Sequence, residues 1–189
     1  MKRTPHLSPR PTQPRDAQCA GWIVASMAGL LLCGGLAPVA VPAAHATEFV
    51  VEAGQSWSGR SSLASSSTGY LQAVSEHTVP FLRGRLVAQP SAVIGYVAGR
   101  DPKAYDRDSW LIGAGLRITG SHDGKRRWFW ESFLLLSPQD TPSLSGHLQF
   151  ANGLGYTEAP WEIKIRHVSN AGLREPNHGE TMLLVGYRF

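Results

Sequence analysis

Near the end of this 189-residue chain, Ile165-Arg166-His167-Val168-Ser169-Asn170-Ala171-Gly172 sets a histidine and a serine two residues apart. On a β-strand, residues i and i+2 point to the same face. His167 and Ser169 can therefore meet as general base and nucleophile without help from another element. Acyl transfer needs that pairing, because a neutral hydroxyl is a poor nucleophile without a base. Glu175-Pro176-Asn177-His178-Gly179-Glu180 supplies nearby acids, and the chain closes on Tyr187-Arg188-Phe189. These residues are the seed of a serine hydrolase built on a strand. Other candidates are weaker. His77, His122 and His147 show no metal-ligand spacing, and Gly113-x-Gly115 lacks the strand–helix setting of a nucleotide loop.

The elements that must hold this pair are strands. Helical periodicity is nearly absent, and strand-like segments follow one another at 49–57, 69–75, 80–87, 92–99, 109–118, 128–137, 144–156, 160–169 and 181–189. Turn chemistry separates them, as in Gln89-Pro90-Ser91, Ser121-His122-Asp123-Gly124 and Ser137-Pro138-Gln139-Asp140. Bacterial single-chain outer-membrane barrels have even strand numbers, so one early segment is expected to be loop or a continuation of its neighbour. Trp161, Ile163 and Ile165 alternate with Glu162, Lys164 and Arg166, and Leu183, Val185, Tyr187 and Phe189 alternate with Leu184, Gly186 and Arg188. Arg83 and Arg85 share a face opposite Leu82, Gly84 and Leu86. Alternation alone does not separate a soluble barrel from a membrane barrel, which turns the apolar face outward.

The amino terminus weighs on that choice. Lys2, Arg3, Arg10 and Arg15 precede an apolar run over 22–41, and Ala44-His45-Ala46 is a small-x-small cleavage site. Residues 1–46 therefore read as a cleaved signal peptide, and 47–189 as a single barrel domain beginning at Thr47. Gly29, Gly34, Gly35 and Pro38 favour cleavage over a retained membrane anchor. Both cysteines, Cys19 and Cys33, fall in the leader, so the mature chain relies on no disulfide and no cysteine metal site. Removing four basic residues and Asp16 from 18 basic and 14 acidic residues leaves a nearly neutral chain, which excludes nucleic acid as a partner. Export, strands near the length a bilayer needs and terminal aromatics point to an all-β fold. The expected form is an eight-stranded antiparallel transmembrane β-barrel of outer-membrane type. Side chains fill so narrow a lumen, which argues against a porin. Arg83, Arg85, Arg117, Lys164, Arg166 and Arg188 are expected to pair there with Glu52, Glu131 and Glu162. His167 and Ser169 share parity with Trp161, Ile163 and Ile165, so they face outward near the rim, where a polar pair is costly unless used. A membrane lipid's ester can reach such a pair laterally.

The His167-Val168-Ser169-Asn170-Ala171-Gly172 run, the Pro176-Asn177-x-Gly179-Glu180 turn and the Tyr187-Arg188-Phe189 ending resemble the lipid A 3-O-deacylase (PagL) family. The likeness is densest over the last 25 or so residues and looser over 110–117, 128–137 and 147–156. It implies hydrolysis of the ester holding the hydroxyacyl chain at position 3 of lipid A, with no metal and no cofactor. Ser169 would be the nucleophile, His167 the base and Glu180 the orienting acid. Asn170, with the amides around Ala171 and Gly172, would stabilise the oxyanion, because donors must be preorganised where charge develops. The expected partners are lipid A in lipopolysaccharide and outer-membrane lipid, with a homodimer left open. Where the family often has an aromatic residue between histidine and serine, this chain has Val168, a change read as touching the lipid-facing surroundings. Glu180 has the opposite parity to Leu183 and Val185. An unbroken strand would aim it into the lumen, so contact with His167 calls for a bulge near Thr181 or a loop at Glu180; Glu175 is the fallback acid. The rival functions are a non-catalytic adhesin or envelope-stabilising barrel, and a phospholipase or general acyl-ester hydrolase on the same scaffold.

Cleavage after Ala46 is the first expected outcome. N-terminal sequencing of the protein in the outer-membrane fraction should begin at Thr47, and a mature protein that retains the 22–41 segment would overturn it.

Overall fold

Alternating apolar and charged residues can satisfy both faces of a sheet only if the sheet separates two environments. The computed structural model describes residues 47–59, 65–100, 107–121 and 127–189. The expected leader and both cysteines lie outside the described residues, as does part of the 121–124 turn. The strands are β1 (Thr47–Ser58), β2 (Ser66–Ser75), β3 (Val79–Phe81), β4 (Leu86–Val97), β5 (Ser109–Gly120), β6 (Trp128–Leu136), β7 (Leu148–Glu158), β8 (Trp161–Ser169) and β9 (Glu180–Arg188). Neighbours pair antiparallel in the order β2-β1-β9-β8-β7-β6-β5-β4, and pairing of β2 with β4 closes the sheet into an eight-stranded barrel. Closure leaves no long unpaired edge, as lipid requires.

The extra segment is β3, a three-residue arm folded back on β4. Leu82, Arg83 and Gly84 all have positive φ, 50°, 57° and 77°, and the Gly84 amide donates to the Phe81 carbonyl at 3.1 Å. Three left-handed residues in succession reverse the chain, and glycine at the third lowers the strain. Arg83 and Arg85 consequently lie in an exposed turn rather than in the lumen. Gln89-Pro90-Ser91, expected as a turn, is strand: β2 pairs with β4 from Ser91 onward and β3 only as far as Ala88. Pro90 sits in the gap between those two partners, where its missing N–H breaks no ladder.

The lumen is layered. At mid-height Lys164 Nζ donates to Glu52 (2.7 Å) and Glu131 (3.1 Å), and Arg166 Nε to Glu131 (2.8 Å). Lys164 and Arg117 also reach Glu162, at 2.7 and 2.8 Å. Arg117 lies 3.9 Å from the Phe129 ring centroid and Arg166 4.5 Å from that of Tyr70, a cation–π contribution to burying the two guanidiniums. Arg188 joins Glu162 to Glu48 at one margin. Four of the six expected basic residues thus do pair inside. Toward the end carrying the 137–147 and 170–179 connections, Leu111, Leu135, Leu144, Val168, Met182 and Leu184 fill the bore. Val168 is fully buried there, so it faces the lumen and not lipid: its parity is that of Arg166. Toward the end carrying Thr47 and Phe189, Glu48, Gln89, Thr119, Thr157 and Arg188 line a polar cavity of about 250 Å³.

Outside, the pattern inverts: Ile165 is 57% exposed, whereas Lys164 beside it is 1% exposed. Aromatic pairs Trp128–Tyr156, Trp161–Tyr187 and Phe49–Phe189 ring the end with Thr47 and Phe189, and Tyr96–Trp110 and Trp57 stand at the other. Two girdles about an aliphatic band are the outer surface of a membrane barrel.

Removing one member of the buried cluster leaves its partners' charges uncompensated. Glu131→Ala should destabilise the barrel by about 3–5 kcal/mol, read as a lower urea midpoint for loss of the fast-migrating folded form in detergent. An unchanged midpoint would show that the cluster does not hold the wall together.

Candidate active site

Strand β8 delivers the two residues that the sequence singled out. With Lys164 and Arg166 turned inward, the pleat turns His167 and Ser169 outward, onto the last turn of the strand before the 170–179 loop. His167 is half-buried and Ser169 buried. Among the described residues, the Ser169 hydroxyl has no hydrogen-bond partner and no bond joins it to His167.

Register supplies the imidazole's neighbour. His167 pairs directly with Thr181 of β9, and His167 Nδ1 lies 3.0 Å from Thr181 Oγ1. The Nε2–Cε1 edge of the ring lies along Gly179, where an added Cβ would come within 2.9 Å of Cε1 and 3.1 Å of Nε2. Gly179 also has φ +65°. The absent side chain is what lets the ring lie there, a sharper role than the turn-forming one its sequence context suggests. Thr181 carried only a parity signal in the sequence; its pairing with His167 is a property of the ladder.

Glu180 goes the other way. It pairs with Val168, is completely buried, and faces the lumen, as regular strand alternation demands. Its carboxylate takes two hydrogen bonds from Arg100, both 2.7 Å, and one from the Ser56 hydroxyl. Arg100 also donates to the Ser56 carbonyl at 3.0 Å. No bulge forms at Thr181 and, among the described residues, no hydrogen bond joins Glu180 to His167. Glu175 is exposed and accepts the Asn177 amide at 3.3 Å. Arg100 and Ser56 lie on distant segments, and nothing in their local sequence marks them.

Asn170, Ala171 and Gly172 form a tight turn. Ala171 and Gly172 have φ 55° and 80°, and the Leu173 amide donates to the Asn170 carbonyl at 3.1 Å, the geometry of a primed turn. The Asn170 carboxamide is fully engaged: Nδ2 donates to the carbonyls of Ser145 (2.8 Å) and Arg174 (2.7 Å), and Oδ1 accepts the Gly172 amide (2.9 Å). It therefore braces the 137–147 loop against the 170–179 loop. Backbone bonds from Gly179 to Ser143 (2.9 Å) and from Gly59 to His178 (3.1 Å) extend the brace over the rim.

A family model described as lipid A 3-O-deacylase (PagL) matches residues 45–189. Among solved structures, the crystal structure of the outer membrane enzyme PagL superposes with a TM-score of 0.53 at 16% identity, covering 75% of this chain and 98% of that one. The backbone structure of the Yersinia pestis outer membrane protein Ail, in a phospholipid bilayer nanodisc, matches with a TM-score of 0.40 at 15% identity, covering 76% and 100%. A comparison with curated proteins gives no match. The structural likeness to PagL is one of fold, whereas the family match spans the whole barrel and the site at its rim. The chain belongs to the lipid A 3-O-deacylase family, ester hydrolases carried by a barrel of outer-membrane type.

Proposed function

We propose that this protein, exported by a leader spanning residues 1–46, removes the 3-O-linked hydroxyacyl chain of lipid A, with Ser169 as nucleophile and His167 as general base. The observation that carries the reading is the outward-facing His167–Ser169 pair at the loop end of β8, its imidazole tethered through Nδ1 and its Nε2–Cε1 edge lying against Gly179. A substrate held in the outer leaflet presents its sugar at the loops and its chains along Ile165, Leu183 and Phe150, so the ester linking the two arrives at the height of Ser169. His167 takes the Ser169 proton as the hydroxyl attacks the ester carbonyl. The tetrahedral intermediate collapses as His167 returns that proton to the departing sugar oxygen, and water then releases the acyl chain by the same route.

In this reading Thr181 sets the ring directly, and Glu180 is the acid of the mechanism at one remove. Clamped by Arg100 and Ser56, it fixes the first residues of β9, and with them Thr181, against β8. Asn170, its carboxamide fully engaged, holds the turn that follows Ser169 and carries the Ala171 and Gly172 amides, so it serves the oxyanion site as a positioning residue and not as its donor.

Ser169→Ala and His167→Asn should each lower deacylation of lipid A by roughly 10⁴-fold, scored by mass spectrometry of membranes, with heat-modifiable migration intact. A folded Ser169→Ala protein that still releases the chain would rule the mechanism out. Thr181→Val should cost roughly tenfold in kcat, and Glu180→Gln more than that, whereas Glu175→Ala should leave turnover near wild type. If Glu175→Ala is the damaging change, the acid lies in the loop.

A further inference from the structure

The wall that carries His167 has a second feature. Outward positions on β6 to β9 are apolar along most of their length: Trp130, Leu134 and Leu136 on β6, Phe150 and Leu154 on β7, Ile163 and Ile165 on β8. One row breaks the pattern. Ser132 pairs with Asn152, Asn152 with His167, and His167 with Thr181. Four polar side chains thus lie side by side on the lipid-facing surface across four strands, bounded by Leu116 of β5 and Trp57 of β1.

The row does not follow the rim. Barrel strands tilt by about 35–45°, so a row perpendicular to them runs obliquely across the wall. It starts near the loops, at Thr181 and His167, and reaches Asn152 and Ser132 in the middle of β7 and β6. Asn152 is half-buried and, among the described residues, its carboxamide has no hydrogen-bond partner. A carboxamide held against hydrocarbon without a partner is unfavourable, and Leu or Val at this position would suit lipid better. Its place relative to the nucleophile supplies a use. Phe150 is the residue directly opposite Ser169, so Asn152 is the diagonal neighbour of Ser169 on the same face, about 7–8 Å away between Cα atoms. A side chain at that diagonal is within reach of a polar group three bonds beyond the carbonyl that Ser169 would attack.

We infer that Asn152, with Ser132 behind it, binds the hydroxyl on the acyl chain being removed and makes the enzyme select hydroxylated acyl esters over plain ones. This rests on the esterase reading above and deepens it by assigning chain selectivity to a residue outside the His167–Ser169 pair. The physical need is clear. Plain acyl esters of phospholipids surround any site open to the bilayer, and apolar contacts discriminate poorly between chains that differ by one hydroxyl. A polar group that loses its partner discriminates well.

The experiment uses the full-length protein, folded in mixed micelles, with two synthetic acylated glucosamine lipids. They are identical except that the 3-O-acyl chain carries a hydroxyl at its third carbon in one and not in the other. Wild type should cleave the hydroxylated lipid faster. In Asn152→Leu, which should fold at least as well, the ratio of the two kcat/KM values should fall roughly 10–100-fold, and Asn152→Gln should restore part of it. A ratio unchanged in Asn152→Leu, or a wild type indifferent to the hydroxyl, overturns the selectivity while leaving the esterase intact. A wild type that cleaves neither lipid, and releases no chain from lipid A, overturns the esterase reading and this inference with it.

Discussion

The inward commitment of Lys164 and Arg166 decides the rest of the structure. Their partners Glu52 and Glu131 stand on other strands, and each of these side chains is at most 1% exposed. Turning them outward would place two cations in lipid and strand two carboxylates in the lumen, a cost no local rearrangement offsets. A strand's side chains alternate strictly, so fixing 164 and 166 inward fixes 165, 167 and 169 outward. The His167–Ser169 pair faces the membrane because the charges beside it cannot.

The same rule governs β9, with the opposite result for its acid. Leu183, Val185 and Tyr187 must meet lipid, so Thr181 does too, and Glu180 is left to the lumen. Once there, a buried carboxylate needs donors, and Arg100 and Ser56 supply them. The group that could have oriented His167 is held on the far side of the wall, and a threonine hydroxyl stands at the imidazole. The rim also follows from accounting for backbone groups. Loops at the end of a closed barrel have no ladder to complete, so their amides and carbonyls pair with one another, and Asn170 joins two of them.

Much of this was legible in the chain. The alternation along 160–169 and 181–189 gave the two faces, the inward charges and the outward pair, because parity is a property of the strand itself. For the same reason the parity of Glu180 already sets it toward the lumen. Elsewhere a pairing overrules the local signal. Gln89-Pro90-Ser91 looks like a turn until one sees that Pro90 falls between two partners. Arg83 and Arg85 look like strand until three left-handed residues bend the chain. Val168 lies between two outward residues, yet its own parity takes it into the lumen.

What the sequence by itself determined is therefore which side of the wall each strand residue takes, and with it the class of site: a histidine and a serine turned toward lipid. Only the tertiary structure decided who stands next to whom. Thr181 beside His167, Asn152 on its other flank, Gly179 under the ring, and Arg100 on Glu180 are all matters of register and loop closure. The physical reason is that parity is local, fixed by the pleat within one strand, whereas register is set only when strands from distant parts of the chain close on a shared interior.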